Sequence, residues 1–161
     1  MKSIIRLSFL SLILASLVAC GFHMRGSSDI SFNSIFIEGN TLVISKDLRQ
    51  SLNTNKIDIL SSAENADLRL ELLGEEKEKR ILSIGGAGTV NEFELYYRVH
   101  YRTKLIGQAT WGPVSTVESR RDYTYSDANL LAKQIEEKKL NDGMQKDVVN
   151  SIMRRLSALN K

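Results

Sequence analysis

The stretch that decides the fold is Asn91-Glu92-Phe93-Glu94-Leu95-Tyr96-Tyr97-Arg98-Val99-His100-Tyr101-Arg102-Thr103-Lys104-Leu105. Apolar and polar side chains alternate along it with a period of two, which is typical of a strand buried on one face only. The apolar positions that we expect to face a core are Phe93, Leu95, Tyr97, Val99, Tyr101 and Leu105. The opposite face carries Glu94, Tyr96, Arg98, His100, Arg102 and Lys104.

Two further long strands are predicted, one before and one after this stretch. Leu68, Leu70 and Leu72 alternate with charged residues, and the charged run at 75–80 either continues their strand as an exposed edge or breaks it. The glycine-rich segment at 85–88 then provides a turn, because glycine adopts positive φ without strain. The last strand is predicted over residues 114–125.

Shorter elements complete the predicted domain. A buried strand is expected at 34–38, and residues 57–60 are a second candidate. Residues 43–53 favour a helix, because apolar side chains recur there at helical spacing. A long helix is predicted from Ser126 onward by the stripe Leu140, Met144, Val148, Ile152, Leu156 and Leu159, which Leu131 and Ile135 can extend.

These elements predict an α/β (α+β) sandwich, in which two helices pack on one face of a four-stranded, mostly antiparallel mixed sheet. We expect a single domain over residues 32–161, since 142 residues remain after position 19 and suffice for one core.

The N-terminus has the features of a bacterial lipoprotein signal. Lys2 and Arg6 precede an apolar run of about 13 residues, shorter than the roughly 20 that span a membrane. Leu17-Val18-Ala19-Cys20 resembles the lipobox, and Cys20 is the only cysteine. We therefore predict a signal peptide at 1–19 and a lipidated tether at 20–31. The alternatives are a plain secretory signal and a buried structural cysteine.

The lipobox resemblance implies a covalent modification of Cys20. Lipoproteins of this kind carry a diacylglycerol thioether and an amide-linked acyl chain such as palmitate, and several chains together anchor a protein stably. Gly21 favours sorting to the outer membrane by analogy, because lipoproteins retained at the inner membrane often have aspartate there. No other cofactor is expected.

Composition and motifs favour neither nucleic-acid binding nor catalysis. The chain has 22 basic and 19 acidic residues, and the signal peptide removes two of the basic ones. The glycine turn at 85–88 lacks the Lys-Ser or Lys-Thr of a phosphate loop. Zinc-ligand spacing and a Gly-x-Ser-x-Gly elbow are both missing from the sequence. We expect no catalytic residue, no metal site and no enzyme.

The basic row on the predicted central strand has two interpretations. Arg98, His100, Arg102 and Lys104 project to one side about 6.5–7 Å apart. Carboxylates of neighbouring strands can neutralise them, which would make the face an ordinary solvated surface. Alternatively the guanidinium groups bind an anionic partner, since they suit phosphate bidentately. At an outer membrane, the abundant phosphorylated amphiphile is lipopolysaccharide.

Four segments resemble the family of LPS-assembly lipoproteins called LptE. They are Cys20-Gly21-Phe22-His23-Met24-Arg25-Gly26, the hairpin segments Ser83-Ile84 and Asn91-Glu92-Phe93-Glu94-Leu95, the pair Arg121-Asp122-Tyr123 and Leu131-Ala132-Lys133, and Arg154-Arg155-Leu156. The resemblance implies a non-enzymatic outer-membrane lipoprotein that faces the periplasm. Its partners would be the β-barrel LptD, whose lumen it plugs, and lipopolysaccharide (LPS).

The resemblance also implies which residues contact LPS. A lysine early in the family's long helix is implicated, and it corresponds to Lys133. The family hairpin often carries a basic residue that the turn at 85–88 lacks, so the remaining candidates are Arg121, Arg98 and Arg102. The competing hypothesis is a free-standing periplasmic lipoprotein that binds another envelope ligand, such as peptidoglycan.

Overall fold

A computed structural model describes residues 30, 32–86 and 88–159. The predicted signal peptide, Cys20 and the tether up to residue 29 lie outside the described residues. The elements in chain order are β1 (Ser34–Gly39), α1 (Ser45–Thr54), β2 (Asp58–Leu60), β3 (Leu68–Ile84), β4 (Val90–Leu105), β5 (Ser115–Thr124), a short 3-10 helix (Asp127–Asn129) and α2 (Leu130–Ser157).

The strands form one mixed sheet in the order β2-β1-β3-β4-β5. β1 runs parallel to both β2 and β3, whereas β3 with β4 and β4 with β5 are antiparallel. The predicted α+β class and the mixed sheet are confirmed, but the predicted number of four strands, mostly antiparallel, is wrong. The described chain has five strands, and their pairings divide evenly between the two directions. The additional strand, β2, has three residues, too few to show a period of its own.

Both helices pack on the same face of the sheet. Leu48 and Leu52 of α1 are fully buried, as the helical spacing predicted. Gln145 of α2 donates a hydrogen bond to the Asp47 carboxylate of α1 at 2.7 Å, which joins the two helices. The fully buried sheet residues that meet them are Ile35, Leu68, Leu70, Leu95, Tyr97 and Val99. The core therefore lies between the helices and the apolar side of β3 and β4, as the period of two predicted.

Only the C-terminal half of α2 is part of this core. The first fully buried residue of α2 is Met144, which follows Gly143 directly. The expected extension of the apolar stripe is wrong, because Leu131 and Ile135 are 71% and 51% exposed. The N-terminal half of α2 has no fully buried residue and lies beside the distal half of β3.

A β-bulge at Leu73 changes which residues of β3 face the helices. Leu72 pairs with Tyr101 and Gly74 pairs with His100, so Leu73 is an extra residue in the ladder. From Glu75 to Ile81 the odd-numbered residues face the helices, although a regular period would place them on the opposite side. A second register shift, at Leu82, ends this segment. The charged run at 75–80 is continuous with β3. Because β1 pairs only up to Leu72, the run forms an exposed edge, as one of the two interpretations predicted.

Candidate functional site

The sheet face without helices is a charge-paired surface. Arg98 bonds Glu118 of β5 and donates to the Glu78 carboxylate of β3 at 3.1 Å. Arg102 bonds the Glu71 carboxylate of β3. Carboxylates from both neighbouring strands thus neutralise the arginines of β4. The geometry supports the interpretation in which neighbouring strands balance the basic row.

Aromatic rings add to this arrangement. The guanidinium carbons of Arg69 and Arg102 lie 5.1 and 4.9 Å from the ring centroid of Trp111, so that both cations contact one indole. The guanidinium of Arg98 lies 4.6 Å from the ring of Tyr96. Such contacts favour cations close to a ring. The arginines are therefore held by rings as well as by carboxylates.

Hydrogen bonds on this face stabilise the ionised forms of its charged side chains. Hydrogen bonds from Arg80 and Arg98 lower the pKa of Glu78 below its ordinary value. Hydrogen bonds with Glu118 and Glu78 raise the pKa of Arg98. At neutral pH Glu78 and Arg98 are therefore an ionised pair, and carboxylates of β3 and β5 surround the Arg98 guanidinium.

The four candidate LPS contacts do not meet in one place. Arg98 and Arg102 lie on the open sheet face, whereas Arg121 and Lys133 lie on the helix side. Arg121 of β5 forms an ion pair with Asp147 of α2. Lys133 of α2 donates to the Thr124 hydroxyl at 3.1 Å and to the Glu136 carboxylate at 2.8 Å. The side chain of Lys133 is only 18% exposed.

Lys133 lines a groove between the distal half of β3 and the N-terminal half of α2. The groove has a volume of about 740 Å³. Its lining combines lysines, carboxylates and apolar side chains, among them Lys77, Lys79, Leu95, Tyr125, Leu130, Lys133, Glu137, Lys138 and Asp142. An amphipathic lining of this kind suits a ligand that is itself amphipathic.

One carboxylate links both walls of the groove. Lys79 Nζ lies 2.6 Å from Glu137 Oε2, and the Tyr123 hydroxyl donates to the same oxygen at 2.6 Å. Burial alone would lower the pKa of Lys79, but its hydrogen bonds with Glu137 and Tyr123 outweigh burial and raise it. Burial would raise the pKa of Glu137, and hydrogen bonds from Lys79 and Tyr123 lower it instead. Both groups are therefore ionised at neutral pH.

Lys77 lies in the same groove, but its environment differs from that of Lys79. Its Nζ is 5.1 Å from the ring centroid of Tyr97, and no ion pair of Lys77 occurs among the described residues. Sequence reasoning missed Lys77 and Lys79, because a regular period places them on the open face. Gly74 was the available signal, since glycine inside a strand often marks a bulge.

Exposed apolar side chains lie next to the groove at the hairpin end of the sheet. Ile81 and Ile84 of β3 are 53% and 61% exposed. Leu130 of α2, which also lines the groove, is 48% exposed. Thr124 pairs with Glu92 near the β3–β4 hairpin, so α2 begins at this same end. We call the exposed set Ile81, Ile84 and Leu130 the apolar rim.

Two kinds of site do not occur in the part of the chain that the structure describes. Residues 30, 32–86 and 88–159 contain no cluster of three or more His, Cys, Asp or Glu side chains suited to a metal ion. None of the helices within these residues combines the length and apolar character needed to cross a membrane.

The architecture is that of a class of small bacterial lipoproteins with an α+β sandwich. The solution NMR structure of uncharacterized lipoprotein B from Nitrosomonas europaea is 35% identical, with a TM-score of 0.74 over 86% of this chain and 91% of that one. The crystal structure of rare lipoprotein B from Shewanella oneidensis is 25% identical, with a TM-score of 0.71 over 78% and 95%. A minor lipoprotein from Acinetobacter baumannii, at 20% identity and a TM-score of 0.63 over 80% and 93%, shares the fold.

The family follows from the sequence match. The LptE model, described as lipopolysaccharide-assembly, matches residues 32–156, and the chain belongs to this family. No curated protein sequence matches the chain. LptE proteins are non-catalytic lipoproteins, and membership assigns the chain to lipopolysaccharide assembly in the cell envelope.

Proposed function

We propose that this chain is an outer-membrane lipoprotein, anchored through lipids on Cys20, that docks in the lumen of the LptD β-barrel. There it assists the transport of LPS to the cell surface. The observation that carries the proposal is the groove between β3 and α2, where lysines and apolar side chains lie together in a domain of the LptE family.

The open sheet face supports docking in a barrel. The lumen of a large outer-membrane barrel is polar, so a protein that fills it needs a polar, charge-balanced surface. Arg98 and Arg102 both face carboxylates of neighbouring strands, and Lys104 donates to the backbone carbonyl of Ala109. The exposed large apolar residues among those described lie instead toward the ends of the elements, as Ile84, Ile106 and Val114 do.

The groove supports LPS binding. LPS combines phosphate groups with acyl chains, so a binding site must present cations beside apolar surface. Lys133 and Lys79 supply cations from opposite walls of the groove, and the apolar rim lies beside them. Arg121 lies on the same side of the sheet through its ion pair with Asp147 and can approach a ligand that extends along α2. Arg98 and Arg102 remain candidates for a second contact on the open face.

The anchor and the location follow from the N-terminal sequence. A diacylglycerol thioether and an N-acyl chain on Cys20 would hold the chain at a membrane without a spanning helix. Gly21 favours the outer membrane, with the domain facing the periplasm and the barrel lumen.

Affinity purification tests the proposal. Membranes from cells that express the tagged full-length chain are extracted in detergent, and the eluate is analysed for the barrel protein and for LPS. We expect both to copurify, and mass spectrometry should find the acylated N-terminus at Cys20. A Cys20→Ala variant is the matched control and should lose the lipid. Recovery of the lipoprotein without barrel or LPS would support a free-standing envelope protein and overturn the proposal.

A further inference from the structure

We propose that Lys77 and Lys79 form a phosphate subsite in the groove, and that the carboxylate of Glu137 occupies this subsite until a phosphate of LPS displaces it. This inference rests on the proposed function, because it takes LPS as the phosphate-bearing ligand. The inference adds Lys77 and Lys79 as contact residues in the groove that contains Lys133. It also makes the Glu137 carboxylate a competitor of the ligand phosphate.

The first argument is the geometry around Lys79. Its ammonium lies 2.6 Å from Glu137 and is enclosed by the rings of Phe93 and Tyr123, at 4.1 and 5.6 Å from their centroids. Its side chain is still 36% exposed, so a ligand in the groove can reach it. The Tyr123 hydroxyl donates to the same carboxylate oxygen. An anion in the position of Glu137 therefore meets two converging donors.

Lys77 supplies a second cation on the same face of β3. Residues two apart on a strand project in the same direction about 6.5–7 Å apart, and the bulge turns both lysines to the helix side. Lys77 has no ion pair among the described residues and lies against the face of Tyr97. The Asp142 carboxylate attracts Lys77 but forms its ion pair with Lys138. Lys77 therefore remains available for an anion, whereas Lys79 becomes available only after Glu137 leaves.

Glu137 can leave the subsite without unpacking the core. It belongs to the N-terminal half of α2, which contributes no fully buried side chain. Gly143 lies where this half joins the packed half, and a Cβ added at Gly143 would have no atom within 4 Å. A phosphate carries more charge than a carboxylate and has additional acceptor oxygens, so it competes favourably for the two lysines.

The surroundings of the subsite indicate a phosphorylated lipid rather than a free phosphate. Leu130 lines the groove close to the lysines, and the exposed Ile81 lies two residues beyond Lys79 on the same face of β3. A free phosphate would use only the lysines and leave this apolar surface in water. A phosphate attached to acyl chains covers both the lysines and the apolar surface, and burial of that surface adds to the affinity of the lipid.

Binding of purified LPS to the full-length chain in detergent tests the lysines. A Lys77→Gln, Lys79→Gln double variant should bind LPS about tenfold more weakly, because charge-assisted hydrogen bonds are lost. Lys139→Gln on the exposed side of α2 is the matched control and should stay within about twofold. Dephosphorylated LPS should not distinguish the double variant from wild type. Inorganic phosphate at equal concentration should not compete, and effective competition would overturn the assignment to a lipid.

A double-variant cycle tests the competitor. Glu137→Gln should tighten LPS binding about threefold by freeing Lys79, and this gain should disappear in a Lys79→Gln background. Thermal unfolding of each variant is measured in parallel, because a merely structural Glu137 would lower the melting temperature without tightening binding. If the Glu137→Gln variant is folded and binds LPS more weakly than wild type or equally well, the role of Glu137 as a competitor is overturned.

The same preparations separate this inference from the proposed function. Wild-type protein without LPS affinity would overturn both. The subsite alone would be overturned by a different result. In that case wild-type protein binds LPS and copurifies with the barrel, but the lysine double variant binds LPS with the same affinity as Lys139→Gln.

Discussion

Lys79 of β3 and Glu137 of α2 form an ion pair with a 2.6 Å separation between Nζ and Oε2. The pair crosses the groove and joins the exposed edge of the sheet to the part of α2 that lies outside the core. Tyr123 of β5 hydrogen-bonds the same carboxylate at 2.6 Å. Three elements therefore meet at one oxygen atom, and this contact links the two walls of the groove.

The Lys79–Glu137 pair should make stability depend on pH in the acid range. Burial would raise the pKa of Glu137, but its hydrogen bonds lower it below the ordinary 4.5. A lowered pKa means that the stabilisation is present above pH 4.5 and is lost as the pH falls through the folded-state value. The difference in free energy of unfolding between wild type and Glu137→Gln should therefore shrink below pH 4.5. Urea unfolding across this range measures it.

Glu64→Gln provides the control for that titration. Glu64 lies in an exposed loop, so its replacement should keep the wild-type dependence on pH. A Glu137→Gln difference that stayed constant from neutral pH down to acid unfolding would show that the ion pair contributes nothing.

The groove illustrates what the sequence could and could not predict. The period of two in β4 and the leucines of β3 predicted the buried face correctly. The lysines of β3 escaped prediction, because the bulge at Leu73 shifts the alternation by one residue. A bulge is decided by the pairing between strands, which local periodicity does not encode.

The ion-pair partners of the basic row could also not be predicted from the sequence. The alternation placed Arg98 and Arg102 on the open face, but their partners Glu71, Glu78 and Glu118 depend on the register of three strands. The helical period of α2 likewise could not show that Leu131 is exposed. Long-range contacts decide burial at these positions, and local sequence cannot.

The two halves of α2 should respond differently to truncation of apolar side chains. Ile152 is fully buried, whereas Leu131 is 71% exposed. Ile152→Ala should lower the free energy of unfolding by about 2–5 kcal/mol, because it leaves a cavity in the core. Leu131→Ala should change it by about 0.5 kcal/mol or less. Urea denaturation with unchanged m-values measures both, and equal losses would contradict the assignment of the core to the C-terminal half.

The turn after β1 should require glycine at position 39. Gly39 has a φ of +92°, and a Cβ there would lie 2.3 Å from the carbonyl oxygen of Leu72. Gly39→Ala should therefore lower stability by about 2 kcal/mol or more, since it combines backbone strain with a clash against a paired strand. Gly86→Ala is the matched control, because no atom lies within 4 Å of the Cβ position there. Melting temperatures of the two variants decide the comparison.

Charge reversal on α2 should separate the groove from the rest of the surface. Lys133 lines the groove, and its side chain is largely covered. Lys133→Glu places a carboxylate beside Glu136 and Glu137 and should repel the phosphates of LPS. We expect at least about tenfold weaker LPS binding. Lys139→Glu makes the same charge change on the exposed side of α2 and should weaken binding by less than about twofold.

The open sheet face provides the decisive comparison for this prediction. Arg102 is neutralised by Glu71 and lies on the side of the sheet opposite Lys133. If LPS binds mainly in the groove, Arg102→Gln should lower its affinity much less than Lys133→Glu does. A loss with Arg102→Gln as large as that with Lys133→Glu would place the ligand on the open face. Equal losses with Lys133→Glu and Lys139→Glu would instead indicate attraction by the overall charge, which raised ionic strength should then abolish.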